Sequence, residues 1–262
     1  MSDHMTKPLA DLASDIVADG IVDAEEVKKI RERIYADGII DREEADFLFT
    51  INDAVSGGNN DPSWKEIFVE AISDHVLKDE ISPDVVDEDE SQYLISKIQA
   101  DKKVDDVELA TIVHIIATAK STPESFQKFV LSSLKEAVLE DGIIDETEVQ
   151  TICKVIYGTG SGAGEGVDRA EADFMFELND AVTGKDNHPS WQTLFVEAIS
   201  KHVLEDEVSP GEVDEDEANW LISRIEGDEQ VDDTEKALLK AIKEKAKSIA
   251  NTLKFKMDLW KI

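Results

Sequence analysis

Eight times along this chain an aspartate is followed, three residues on, by a glutamate. The pairs are Asp23/Glu26, Asp41/Glu44, Asp87/Glu90, Asp105/Glu108, Asp145/Glu148, Asp168/Glu171, Asp214/Glu217 and Asp232/Glu235, and each opens an apolar run. Carboxylates at this spacing can do two things. Asp at a helix N-cap accepts a backbone amide two or three residues on, while Glu at the third helical position reaches back to the cap's own amide, forming a capping box. Carboxylate oxygens are also the ligands that hard cations such as Ca²⁺ prefer. The second use gains weight where a further Asp stands four residues before the cap, as Asp19, Asp37, Asp101, Asp141 and Asp228 do. Five triplets are therefore candidate metal ligands: Asp19/Asp23/Glu26, Asp37/Asp41/Glu44, Asp101/Asp105/Glu108, Asp141/Asp145/Glu148 and Asp228/Asp232/Glu235. Capping alone and capping plus cation binding both fit the spacing.

Set against the calcium-binding EF-hand loop, Asp19, Gly20, Val22, Asp23 and Glu26 fall at the fifth, sixth, eighth, ninth and twelfth positions, and Asp15 at the first. The third position is Val17, which cannot ligate. Other turns fit less well, with Arg33 and Tyr35 before Asp37, and Ala137 and Leu139 before Asp141. A cation needing six to eight oxygens is not caged by one such turn. A site would need two turns brought together, or many waters.

The elements that must position these carboxylates are helices, and they come in two sets. Asp61-Pro-Ser-Trp-Lys-Glu-Ile-Phe-Val-Glu-Ala-Ile-Ser-Asp-His-Val-Leu77 returns as His188-Pro-Ser-Trp-Gln-Thr-Leu-Phe-Val-Glu-Ala-Ile-Ser-Lys-His-Val-Leu204. The similarity runs from Asp19-Gly20 with Asp141-Gly142 to Asp101 with Asp228, and internal repetition of this kind dictates architecture. Trp64, Phe68, Ile72 and Val76 fall four apart, giving one apolar face on a helix that starts at Pro62 or Ser63. Phe47, Leu48, Ile51 and Val55 make another, as do Tyr93, Leu94, Ile95 and Ile98. The spacing predicts helices near 8–18, 24–35, 42–55, 63–78, 88–99, 106–120 and 123–139. Strand-like alternation is absent. The expected fold is all-α: two tandem repeats of a roughly seven-helix bundle, residues 1–122 and 123–262, with Asp-Gly turns between helices. Helix 123–140 would close the first repeat and open the second, unless a loose tether joins them.

Residues outside the acidic turns offer less chemistry. Gly158, Gly160, Gly162 and Gly164 belong to a Gly-rich insertion that replaces the Asp37-Gly38 turn in the second repeat. Without a Lys-Ser/Thr or a preceding strand it reads as a loop, not a phosphate cradle. His75 and His202 stand at matching positions, open to metal or base chemistry but better explained as half-buried side chains satisfied by a neighbouring carboxylate. Cys153, alone, reads as a packed helical residue, and no nucleophile–base grouping emerges, so no catalysis is expected. A last helix rich in lysine, running through Leu253-Lys254-Phe255-Lys256-Met257 to Ile262, could bind a membrane surface or an acidic partner but is better explained as closing the second core.

Composition bounds the partners. With 60 Asp and Glu against 27 Lys and Arg, the formal charge is −33 over 262 residues, and 41% apolar content suffices for real cores. Such a charge argues against nucleic acid and anionic membrane surfaces. It leaves cations, basic proteins, self-association or plain solubility. A single cysteine, no leader-like N-terminus and no spanning stretch lead to the expectation of a cytoplasmic protein without membrane insertion.

The phrase helix, Ala-Asp-Gly-x-Val/Ile-Asp-x-x-Glu, helix resembles the acidic turns of TerB-like tellurite-resistance domains and related all-helical bacterial stress proteins. The resemblance rests on Ala18-Asp19-Gly20-Ile21-Val22-Asp23-Ala24-Glu25-Glu26, Ala36-Asp37-Gly38-Ile39-Ile40-Asp41-Arg42-Glu43-Glu44 and Asp141-Gly142-Ile143-Ile144-Asp145-Glu146-Thr147-Glu148. It implies compact seven-helix bundles whose acidic turns hold divalent metal, here Ca²⁺, in a non-enzymatic stress-related role. A protein-interaction scaffold without specific metal is the alternative. The Trp64 and Trp191 anchors are similar instead to uncharacterised bacterial proteins, which implies no function.

Overall fold

Each apolar stripe in the sequence becomes a helix that ends where its stripe ends. The computed structural model describes residues 3–79, 82–100, 103–158, 166–205, 209–227 and 230–262. Among them are α1 (Leu9–Ile16), α2 (Ala24–Ile34), α3 (Arg42–Val55), α4 (Pro62–Leu77), α5 (Glu88–Ile98), α6 (Asp106–Thr118) and α7 (Glu124–Val138). They are followed by α8 (Glu146–Ile156), α9 (Arg169–Val182), α10 (Pro189–Leu204), α11 (Glu215–Ile225), α12 (Asp233–Lys245) and α13 (Asn251–Trp260). Among the described residues the protein is all-helical apart from one minimal parallel pair, β1 (Glu212–Val213) with β2 (Ser248–Ile249). Two residues per strand leave no alternation to read in the sequence.

The chain divides into two compact units, Met1–Val130 and Leu131–Ile262, with the division inside α7. In the first unit α4 packs against α2, α3 and α6; in the second α10 packs against α8, α9 and α12. The predicted faces are the buried ones. Trp64, Phe68, Ile72 and Val76 of α4 lie in the first core with Phe47, Leu48, Ile51 and Val55 of α3. Trp191, Phe195, Ile199 and Val203 do the same in the second. The rings of Phe49 and Phe68 meet edge to face at 5.3 Å, and those of Phe176 and Phe195 at 5.1 Å. Each fully buried aromatic of this size contributes about 1.5–3 kcal/mol.

Helix starts and stops follow the local chemistry. Pro62 takes the first position of α4, where the amide it lacks has no helical acceptor, and Asp61 caps it by accepting from Ser63 N at 3.0 Å. Gly20, Gly38 and Gly142 close the preceding turns with φ between +76° and +85°, a region costly for any residue bearing a Cβ.

Candidate functional site

All eight Asp/Glu pairs form complete capping boxes. At α2, Asp23 Oδ1 accepts from Glu26 N at 2.8 Å and Glu26 Oε2 accepts from Asp23 N at 3.0 Å. The same reciprocal bonds start α3, α5, α6, α8, α9, α11 and α12. The additional aspartates also have backbone work. Asp19, Asp37 and Asp141 accept from the amides of Ile21, Ile39 and Ile143 at 3.0–3.2 Å, each bracing its own turn. Asp15, at the first EF-hand position, pairs with Lys7. Asp101 and Asp228 lie outside the described residues, as does 159–165 of the Gly-rich insertion.

The acidic turns before α2 and α8 are docked to other loops. Val22, immediately before its cap, donates to Asn60 Oδ1 at 2.8 Å and accepts from Asp61 N at 2.8 Å. Ile144 repeats this with Asn187 Oδ1 at 2.9 Å and His188 N at 2.7 Å. Ile40 is held by a side chain: His75 Nδ1 lies 2.8 Å from the Ile40 carbonyl, and His202 Nδ1 lies 2.7 Å from that of Val167. A carbonyl only accepts, so Nδ1 carries the proton. The histidines are therefore satisfied by backbone, not by the carboxylate partner the sequence suggests. Their other faces meet aromatic rings, His75 on Tyr93 at 5.6 Å and His202 on Trp220 at 4.9 Å, with Arg42 and Arg169 over the same rings at 3.4 and 4.3 Å. Burial pulls the His202 pKa down, favouring the neutral ring.

Asp105 and Asp232 are tied in furthest. The second oxygen of Asp105 accepts from Asn52 Nδ2 and Ser56 Oγ, both at 2.8 Å, while Asn52 Oδ1 accepts from Trp64 Nε1 at 3.2 Å. Asp232 takes bonds from Asn179 at 2.6 Å and Thr183 at 2.7 Å, and Asn179 accepts from Trp191 at 3.3 Å. This links the α6 cap to the Trp anchor through a buried Asn. The sequence holds one signal for it, an Asn placed twelve residues before each Trp inside an otherwise apolar stripe.

The glutamates of these same two boxes, two of the candidate cation ligands, lie deep in the protein. Glu108 is only 2% exposed and Glu235 only 1%. Glu108 Oε2 accepts from Asp105 N at 3.0 Å, and Glu235 Oε2 accepts from Asp232 N at 2.9 Å. Both side chains are folded back into the protein interior beneath their own caps. A cation at these positions would have to shed its waters and displace the packing over each cap. Since both oxygens of Asp105 and of Asp232 also accept protein donors, neither described pair is left as an open ligand set. Sequence spacing could not separate Glu108 and Glu235 from Glu26 or Glu148, because all occupy the same position in the box.

Burial, helped by neighbouring carboxylates, raises three of the capping glutamates. Glu90 is pushed up to about 7, first by burial and then by the nearness of Asp87 and Asp79. Burial also raises Glu44, helped by Asp41 and Asp37, and Glu148, helped by Asp145 and Asp141. Arg33, 3.7 Å from Glu44, opposes the first shift. Among the described residues no three His, Cys, Asp or Glu side chains gather as a metal-binding group. Cys153, half-buried on α8, has its thiol pKa raised by burial, the opposite of an activated nucleophile.

Sequence reasoning gave no hint of a pair of surface grooves. Between α4 and α6 a cleft of about 510 Å³ is lined by Lys65, Glu66, Val69, Glu70, Ser73 and His114, among others. Its counterpart between α10 and α12, about 610 Å³, is lined at matching positions by Gln192, Thr193, Val196, Glu197, Ser200 and Lys201. Ser73 and Ser200 are both 4% exposed, and neither hydroxyl has a hydrogen-bond partner among the described residues. The rims differ. Glu66, Glu70 and Asp74 form an acidic row one turn apart along α4, where α10 presents Thr193, Glu197 and Lys201.

No family model, curated protein or solved structure matches this chain. Its function must therefore be argued from its own geometry. No helix among the described residues is long and apolar enough to cross a membrane.

Proposed function

We propose that this protein is a non-enzymatic interaction scaffold whose α4–α6 groove receives a cationic amphipathic helix from a protein partner. The observation that carries the reading is the partnerless, buried hydroxyl of Ser73 on the groove lining, repeated by Ser200 in the second unit. A buried polar atom without a partner costs roughly 1–3 kcal/mol, a penalty that a ligand's polar group would remove once α4 and α6 part enough to admit it. The row Glu66, Glu70 and Asp74 sets the sign of the ligand. Glu70 is held by Arg31 at 2.6 Å, and Asp74 by Lys78 at 2.8 Å and the Tyr35 hydroxyl at 3.1 Å, so these two are fixed in place with part of their charge offset, and Glu66 presents the open carboxylate. Preset side chains lose little entropy on binding.

The test uses a labelled synthetic peptide of leucine and lysine in helical i, i+4 order, with a glutamate-for-lysine peptide as control. Fluorescence anisotropy is expected to show saturable binding of the basic peptide alone. Binding should weaken with salt, be indifferent to chelator, and fall at least tenfold in Glu66→Lys/Glu70→Lys. Equal binding of both peptides, or no effect of the double substitution, would overturn the reading.

One observation favours a second reading, in which the more open acidic turns hold Ca²⁺ or another divalent cation. Asp141 and Asp145 add their charge to the burial that raises Glu148. In this box Asp145 Oδ1 and Glu148 Oε2 each accept a backbone amide, which leaves the second oxygen of each for a cation and its waters. Glu108 and Glu235, being buried, are outside this reading. Titration calorimetry with Ca²⁺ and Mg²⁺ at physiological ionic strength decides it: saturable heat lost in Asp141→Asn/Asp145→Asn supports the cation, and no heat dismisses it.

A further inference from the structure

Charge along this chain is segregated at its end. The 27 residues Lys236–Ile262 hold eight lysines against Glu244 and Asp258, while the preceding 235 hold 19 cationic residues against 58 acidic ones. A stretch of net charge +6 thus sits on a body of −39.

Within that stretch α13 uses two faces differently. Leu253 and Met257 are buried in the second unit. Phe255 and Leu259, also one turn apart, are 64% and 59% exposed, and they are two of the three large apolar side chains that the described residues leave in solvent. Lys254 and Lys256 flank them on the helix surface, with Lys256 reaching Glu226. An exposed apolar pair with basic borders is the pattern of a helix that lies in a groove.

We infer that α13 of one molecule docks, through Phe255 and Leu259, in the α4–α6 groove of a second copy. The inference rests on the scaffold reading above and names the occupant. Three observations support that choice. The Glu66–Asp74 row spans about 12 Å at 1.5 Å per residue, close to the roughly 10 Å from Lys254 to Lys261. The equivalent groove of the second unit has Lys201 and Lys245 balanced by Glu197 and Glu205 on its lining, whereas the first is lined by Lys65 against Glu66, Glu70 and Asp74, so the first is the more acidic of the two. The rest of the chain is so acidic that the final helix is its own best electrostatic complement. Like charge on two whole molecules opposes association, but at about 0.15 M salt it is screened beyond roughly 8 Å, whereas contacts inside the groove are not. The surfaces differ, so the contact is head to tail and can propagate into chains or rings.

Sedimentation velocity on the full chain, from about 5 to about 500 µM, covers the affinities of so small a contact. Wild type is expected to grow with concentration beyond a dimer. Phe255→Asp/Leu259→Asp keeps the groove and loses the helix face; Glu66→Lys/Glu70→Lys does the reverse. Each variant alone should stay monomeric, while an equimolar mixture should form a dimer and nothing larger. Far-ultraviolet circular dichroism and melting curves check that both variants fold, and Phe255→Ala serves as a milder substitute. Wild type that stays monomeric throughout, self-association that survives the Phe255/Leu259 change, or a mixture that fails to pair would overturn the inference. If the leucine–lysine peptide binds while wild type stays monomeric, only the self-docking falls. If the peptide also fails, the scaffold reading falls with it.

Discussion

Replacing Asn52 with Ala should cost about 3–4 kcal/mol, at the upper end of what a single substitution does, because one side chain serves two partners. Asn52 is 1% exposed and bridges the Trp64 indole to the α6 cap. Its loss removes a hydrogen bond to the charged Asp105 at 2.8 Å, worth about 1.5–3 kcal/mol, and one from Trp64 Nε1 at 3.2 Å, worth about 1 kcal/mol. The indole N–H is then stranded beside an apolar cavity, which adds to the penalty, while Ser56 still holds Asp105 and limits it. Urea unfolding followed by Trp fluorescence gives the free energy directly. Asn179→Ala should lose a similar amount through Trp191 and Asp232. Trp64→Phe removes the donor together with part of the buried ring; the lost packing appears in both arms of a double-mutant cycle with Asn52→Ala and cancels, so the cycle should return a coupling of about 1 kcal/mol. If both Asn variants lose less than about 1 kcal/mol, or if the coupling is zero, the link from Trp to helix cap is not a stabilising unit and the reasoning fails.

Three other outcomes follow from the turns. Asp23→Ala should cost about 1 kcal/mol, the value of one cap, whereas Asp105→Ala should cost about 3 kcal/mol because it also strands Asn52 and Ser56; equal losses in urea titration would contradict the network. Glu90, raised to about 7 in the folded protein, binds a proton more tightly there than in the unfolded chain. Its contribution is therefore complete below the ordinary glutamate range near pH 4.5 and lost as pH rises through 7. Glu90→Gln, which still accepts from Asp87 N, should gain on wild type between about pH 5 and pH 8 by about 1 kcal/mol after allowance for solvent screening, seen as converging or crossing melting temperatures; the opposite trend would refute the shift. Gly142→Ala forces a Cβ into φ +76° and should lose about 1 kcal/mol by thermal melting, whereas an unchanged melting temperature would mean the turn relaxes freely.

Helix positions were legible because burial imposes a 3.6-residue period that local spacing records. Trp64, Phe68, Ile72 and Val76 announce α4 within a residue of its observed start. The capping boxes were equally legible, since both partners lie within one turn of chain. What the sequence left open is long-range. Nothing in the spacing of Asp105 says that its second oxygen meets Asn52, 53 residues earlier, and a carboxylate that looks like a spare ligand is in fact a core acceptor. The depth of Glu108 and Glu235 is hidden in the same way, since burial depends on what packs over a box and not on the box itself. Asp19, Asp37 and Asp141 were ambiguous for a related reason: an aspartate bracing its own turn has the same sequence signature as one awaiting an ion. The grooves were hidden altogether, because they arise from how α4 lies on α6 and α10 on α12. The histidines follow the same rule, their carbonyl partners being 35 residues away.

The eight capping boxes have a consequence for handling the protein as well as for folding it. The boxes alone use sixteen of its sixty acidic residues to hold backbone amides, so a good part of the charge that keeps molecules apart also fastens helix ends. Side-chain carboxylates as a class take up protons near pH 4, close to the isoelectric point of about 4.3. Acidification that cancels mutual repulsion therefore also weakens the acceptors at helix starts. Colloidal neutrality and an intact fold compete for the same protons, and material brought to its isoelectric point should precipitate as loosened helices rather than as native particles.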